Sequence, residues 1–261
     1  MNHSRQEKIE ALGRVIDTLD ILRTECPWDR KQTNESLRPN TIEETYELCD
    51  ALINNDTVNI RKELGDLLLH ILFYAKIGEE KDQFDIADVA DTLNDKLIFR
   101  HPHVFGNVSV DNDAHKVEQN WEQIKLKEKG GNKTVLAGVP KALPAMIKAD
   151  RIQEKAANVG FDWDERSQVW DKVREELLEF STELANHDVD KMEAEFGDLL
   201  FSLINAARLY NINPENALER TNRKFIKRFN HIEKRAHDMG KRLKDMTLSE
   251  MDALWNEAKN L

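Results

Sequence analysis

Cysteine is nearly absent. Cys26 and Cys49 are the two in 261 residues, too few for a disulfide framework, and no C-x-x-C pair or Cys/His cluster accompanies them that could hold zinc. That scarcity fits a reducing compartment, and a cytoplasmic location is the expectation. Long apolar runs are missing as well: no stretch approaches the ~20 residues that span a bilayer, and the start, MNHSRQEKIEALG, lacks the apolar core of a signal peptide. No membrane embedding is expected. Turn formers are few, with 10 Gly and 6 Pro, which disfavours a many-stranded sandwich. Net positive charge is also lacking. With 38 Lys and Arg against 49 Asp and Glu the formal net charge is -11, so the chain repels phosphate polymers unless cations intervene. Direct nucleic-acid binding is not expected.

What is present is helical periodicity. Ile9, Leu12, Ile16, Leu19 and Leu22 recur at spacings of three and four, and the same rhythm continues along most of the chain. It predicts an all-α fold with helices near 5–23, 41–54, 57–79, 85–99, 112–129, 142–157, 167–186, 189–210, 214–238 and 247–259. The densest cluster of helix breakers, Lys129-Gly130-Gly131-Asn132-Lys133 followed by Gly138, Pro140 and Pro144, falls at the midpoint. It divides the chain into an N-terminal helical unit, 1–130, a linker, 131–141, and a C-terminal unit, 142–261.

The two halves repeat one another. Glu43-Glu44-Thr45-Tyr46-Glu47 matches Glu175-Glu176-Leu177-Leu178-Glu179, and Glu63-Leu64-Gly65-Asp66 matches Glu195-Phe196-Gly197-Asp198, both at an offset of 132. Lys96 and Arg100 then correspond to Lys224 and Arg228, and Trp121 and Lys125 to Trp255 and Lys259, in the same order. On a helix the E-E-x-x-E acids share one face, and so do Glu63 with Asp66 and Glu195 with Asp198. If consecutive helices pair as an antiparallel hairpin, five carboxylates per half meet across one groove. Two like charges ~5 Å apart at an effective dielectric of ~20 repel by about 3 kcal/mol, so such a cluster calls for protons or cations. Oxygen ligands suit a hard cation such as Mg²⁺, whereas a di-iron bundle would need E-x-x-H, which no histidine here supplies. A lone E-E-x-x-E reads most simply as a solvated face; its recurrence with a matched E-x-x-D favours a metal cluster.

Lys224 with Arg228, and Lys96 with Arg100, each stack one turn apart and would grip phosphate or form a solvated basic face. Trp255 with Lys259 would meet a base or sugar, or else sit in the core. The halves also differ. Lys172 stands four before Glu176 and Lys191 four before Glu195, where the first half has Asn40 and Asn59. The second half is therefore expected to hold the stronger site. Arg100-His101-Pro102-His103 reads as a capped turn or an acid-base histidine pair, and Cys26-Pro27-Trp28-Asp29 with Phe161-Asp162-Trp163-Asp164 as packing corners or lids.

Taken together, E-E-x-x-E followed by E-[LF]-G-D-L-L twice, with K-x-x-x-R and a late W-x-x-x-K, resembles the MazG family of nucleoside triphosphate pyrophosphohydrolases over essentially the whole chain. That resemblance implies helical units completed into four-helix arrangements by homodimerisation. It implies Mg²⁺-dependent hydrolysis of ribo- and deoxynucleoside triphosphates, aberrant ones included, to monophosphate and pyrophosphate, with Mn²⁺ as a substitute ion. Glu176, Glu179, Glu195 and Asp198 would hold metal, with Glu44, Glu47, Glu63 and Asp66 as a second, weaker set. Lys172, Glu175, Lys191, Lys224, Arg228, Trp255 and Lys259 would contact nucleotide, Glu175 assisting deprotonation of water and Lys224 and Arg228 balancing charge on the departing pyrophosphate. A narrower dUTP or phosphoribosyl-ATP pyrophosphohydrolase and a nucleotide-sensing helical adaptor are the rival readings.

Overall fold

Capping chemistry fixes where the helices begin. Ser4 and Glu7 form a reciprocal box at the start of α1 (Arg5–Glu25), and Thr33 with Ser36 does the same for α2 (Asn34–Ile53). Asp56 caps α3 (Thr57–Glu79) by accepting from the Val58 and Asn59 backbone N–H groups, and Asp85 caps α4 (Ile86–Arg100). The short α5 (Pro102–Phe105) opens on Pro102, whose fixed φ suits a first helical position. In the second half come α6 (Ala145–Ala157), α7 (Val169–Asn186), α8 (Val189–Leu209), α9 (Pro214–Asp238) and α10 (Leu248–Ala258). The computed structural model describes residues 3–109 and 134–260, together with Val117 and Ile124. Among the described residues there is no strand, and no helix is long and apolar enough to cross a membrane.

The all-α expectation holds, and the predicted 57–79 and 214–238 match α3 and α9. The largest difference is at α2, which starts at Asn34 rather than 41: the Thr33 cap nucleates it and the helix runs on through Pro39. Helix α5 was not predicted; Pro102 ends one helix and starts another. The predicted helix 112–129, with Trp121 and Lys125, lies outside the described residues except for Val117 and Ile124.

The chain divides into two compact units, 1–109 and 110–261. In the first, α2 and α3 form an antiparallel hairpin against which α1 and α4 pack, around a core of Leu19, Leu37, Leu72, Phe73 and Ile77. Its charged brace is Arg23, buried, which donates from Nε to Glu80 Oε1 at 2.8 Å and from a terminal nitrogen to the Gln32 carbonyl at 3.2 Å. In the second unit α7 and α8 form the matching hairpin, with α6 against α8 and α9 paired with α10. The turn Val135–Gly138, inside the predicted linker, packs on α6. Val169, Val173, Leu199 and Ala206 form one core cluster, and Ile232, Ala236, Met246 and Leu254 another under α9 and α10. Both hairpins turn on a left-handed residue next to the following cap, Asn55 (φ 53°) before Asp56 and His187 (φ 58°) before Asp188.

Candidate active site

The hairpins bring the acids together as helical spacing requires. In the first unit oxygens of Glu44, Glu63 and Asp66 lie within 4.8 Å of one another; in the second, oxygens of Glu176, Glu179 and Glu195 do. Glu47 and Asp198 complete the predicted quartets in sequence but stand outside these close sets. Three carboxylate oxygens converging this closely would suit a hard cation such as Mg²⁺, which takes oxygen ligands. The donor chemistry fits as well: all ligands are carboxylate oxygens, and Glu44 Oε2 is buried with no hydrogen-bond partner.

Burial within each cluster follows pairing. The most buried acid of the first unit is Glu63, 4% exposed, and Lys62 Nζ lies 3.0 Å from it, also reaching Asp66 at 3.4 Å and Glu47 at 3.8 Å. In the second unit it is Glu176, 6% exposed, held by Lys172 Nζ at 2.7 Å, which also pairs with Glu175 at 2.8 Å. A carboxylate leaves water only with a charged partner, and each hairpin supplies one lysine. The acids left over show the strain. Burial and the neighbouring Asp66, Glu47 and Glu63 hold the Glu44 carboxyl above its ordinary range. Partial desolvation and the crowd of Glu176, Glu195 and Glu175 do the same to Glu179.

Lys172 therefore stands where the sequence places it, beside the acids. Lys191 turns instead to its own helix cap, Asp188, at 3.4 Å. Lys62 was missed, although its i,i+4 spacing to Asp66 was readable; its counterpart at offset 132 is Ala194. The cationic and aromatic residues of the C-terminal part gather with one another. Arg228 Cζ lies 5.4 Å from the Trp255 ring centroid, Phe225 packs on the same indole at 5.0 Å, and Lys259 bonds Asn256 at 2.8 Å.

A cavity of about 760 Å³ opens beside the second acid cluster. Glu176, Asp198 and Lys172 are among its walls, and Ile152, Val169, Phe161, Trp163 and Phe201 supply apolar surface. Lys224, Arg228 and Trp255 are not among its lining residues. Beside the acids of the first hairpin the space is smaller, about 370 Å³, and its walls are mostly polar, with Glu47, Asp50, Asn54, Asn59, Lys62 and Glu63 among them. The sequence accounts for part of the difference. At offset 132, His70, Phe73 and Tyr74 of α3 become Ser202, Asn205 and Ala206 of α8. In the first unit these large side chains are packed: Phe73 is 2% exposed, and Thr41 Oγ1 bonds both His70 Nδ1 (2.7 Å) and Tyr74 OH (2.6 Å). Ser202 and Asn205, the shorter side chains at two of these positions, line the chamber of the second unit.

The family model described as the MazG nucleotide pyrophosphohydrolase domain matches the chain twice, over residues 32–105 and 166–233. The chain belongs to the MazG family. Each MazG match contains one acid hairpin, α2–α3 or α7–α8, so the internal repeat is a repeat of the family domain. Over 248 residues, 94% of each chain, it is 44% identical to the nucleoside triphosphate pyrophosphohydrolase/pyrophosphatase MazG of Thermotoga maritima. Over 256 residues, 97% of each chain, it is 40% identical to the nucleoside triphosphate pyrophosphohydrolase of Escherichia coli. It is also 51% identical over 237 residues to the uncharacterized protein YabN of Bacillus subtilis, covering 90% of this chain and 48% of that one. Helix α6 and the Trp255 helix α10 lie outside both MazG matches.

Proposed function

We propose that the second unit hydrolyses nucleoside triphosphates to nucleoside monophosphate and pyrophosphate with Mg²⁺, or Mn²⁺ in its place, and that the first unit is the weaker or structural copy. One observation carries this: Glu176 of the second acid cluster, with Lys172 and Asp198, lines an apolar-walled chamber of about 760 Å³, whereas the space beside the first unit's acids is about 370 Å³ and mostly polar. The likeness to full-length relatives named as nucleoside triphosphate pyrophosphohydrolases supports it. Housekeeping of the nucleotide pool, with aberrant triphosphates among the targets, is the role in keeping with that activity.

Glu176, Glu179 and Glu195, with Asp198 from the next turn, would hold the divalent ion, which when bound neutralises polyphosphate charge and orients it for in-line attack. Glu175, exposed and outside the close set, would accept a proton from water as the water oxygen bonds the α-phosphorus and the bond to the bridging oxygen breaks. Lys172 is held beside the reacting centre by Glu175 and Glu176 and would answer charge on the phosphates. Lys191, Lys224, Arg228, Trp255 and Lys259 are assigned to the nucleotide on family resemblance, Lys224 and Arg228 to the departing pyrophosphate.

The test is ³¹P NMR of purified protein with Mg²⁺ and a panel of ribo- and deoxynucleoside triphosphates. Pyrophosphate and monophosphate in equal amounts, abolished by EDTA, are the expected products; orthophosphate and diphosphate, or no turnover, would remove the proposal. We further propose a homodimer. Helix α4 has no buried residue and exposes Leu93, Leu97, Ile98 and Phe99, while α9 exposes Leu218, Phe225 and Ile226. Light scattering coupled to gel filtration should give twice the 30.3 kDa chain mass, and a monomer at micromolar concentration would contradict it.

A further inference from the structure

The chamber between α6 and α8 contains one polar atom that the protein itself leaves unanswered. Gln153, on α6 and 6% exposed, donates from Nε2 to the Phe201 carbonyl of α8 at 2.8 Å. Its Oε1 is buried and has no hydrogen-bond partner. Rotating the amide by half a turn would set two carbonyl oxygens against each other, so the Phe201 contact fixes which end faces the chamber. A buried acceptor left unpaired costs about 1–3 kcal/mol, a cost that a ligand donor removes. One turn beyond Phe201 on α8, Asn205 is oriented as well: its Oδ1 accepts from Arg208 Nε at 3.0 Å and Nη2 at 2.9 Å, and Arg208 is itself anchored to Asp162 at 3.0 Å. That leaves the Asn205 amide nitrogen as a donor. The chamber thus offers one fixed acceptor and one fixed donor between apolar and aromatic walls, with Glu176, Asp198 and Lys172 also at its boundary.

We propose that Gln153 reads the nucleobase: its carbonyl accepts a hydrogen bond from the exocyclic amine of adenine or cytosine, and Asn205 donates to the adjacent ring nitrogen. Both bases present that donor–acceptor pair on one edge. The inference rests on the hydrolase reading above and deepens it, moving base selection from Trp255 to a residue outside the repeated motif. Phe73 in the first unit takes and fills the position of Asn205, so that unit lacks the donor.

The experiment compares kcat/KM for ATP with purine riboside triphosphate, and for CTP with 2-pyrimidinone riboside triphosphate, analogues lacking only the amine. The wild-type enzyme should favour the amine-bearing member of at least one pair by about tenfold, the lower range for stranding a buried acceptor. In Gln153→Met, of similar volume, that preference should fall to near one. The wild-type comparison needs no variant and stands even if the substitution unfolds the protein. Ratios within twofold in both pairs would mean that water satisfies Gln153 and would overturn the inference, as would a Gln153→Met enzyme that keeps the wild-type ratio, or turnover of triphosphates that spares both ATP and CTP. Absence of pyrophosphate release from every triphosphate would instead sink the hydrolase reading on which it rests.

Discussion

Glu176→Gln is expected to reduce pyrophosphate release by about a thousandfold or more while leaving the fold intact. Glu176 is the buried member of the second acid cluster and lies within 4.8 Å of oxygens of both Glu179 and Glu195. The amide keeps the shape and removes the charge that would hold a cation, and one such electrostatic contact at a reacting centre is worth about 3–4 kcal/mol. Lys172 keeps Glu175 as a partner at 2.8 Å, so no ammonium is stranded and the melting temperature should move by only a few degrees. The paired substitution in the first unit, Glu44→Gln, should leave most activity in place, since the space of about 370 Å³ beside those acids lacks the apolar walls that the second unit offers a nucleoside. Steady-state assays with helical content checked by circular dichroism decide the matter. Equal losses in the two variants would contradict the asymmetry, and full activity in Glu176→Gln would remove the metal assignment.

Phe73→Ala should lower the stability of the first unit by about 3–5 kcal/mol, a large part of the 5–15 kcal/mol typical of a domain. Phe73 is 2% exposed and packs with Leu19, Leu37, Leu72 and Ile77, so its loss removes apolar burial and leaves a void that helices pinned by Arg23 and Glu80 close poorly. Scanning calorimetry should show a transition displaced downward by about 12–20 °C for a domain of this size. The core of the second unit draws on other residues, and pyrophosphate release should persist below that transition. A thermogram indistinguishable from wild type would show that this ring does not organise the unit.

The acid hairpins were legible because their information is local. A carboxylate's face follows from its spacing, and an offset of 132 shared by E-E-x-x-E and E-x-x-D required that both halves fold the same way. What was illegible depends on contacts between helices distant in sequence. Gln153 sits on a helix without a motif, and its role appears only once α6 is laid against the Phe201 carbonyl. Asn205, read along the chain, is one more polar residue in an apolar run; only its register with Phe73 marks it. Lys191 satisfied the spacing rule for Glu195 and yet pairs with Asp188, because a helix cap one turn back competes for the same ammonium. The α2 start was misjudged for a related reason: Pro39 reads as a boundary, while the Thr33–Ser36 box already holds the preceding turn.

The ring of Phe73 is, in effect, a permanent tenant of the room that its sister domain lets out. Placing lysines at Asn40 and Asn59 would therefore not open that room, because His70, Phe73 and Tyr74 occupy it. Vacancy there demands eviction first, and removing a phenyl group that is structural would weaken the scaffold it stands in.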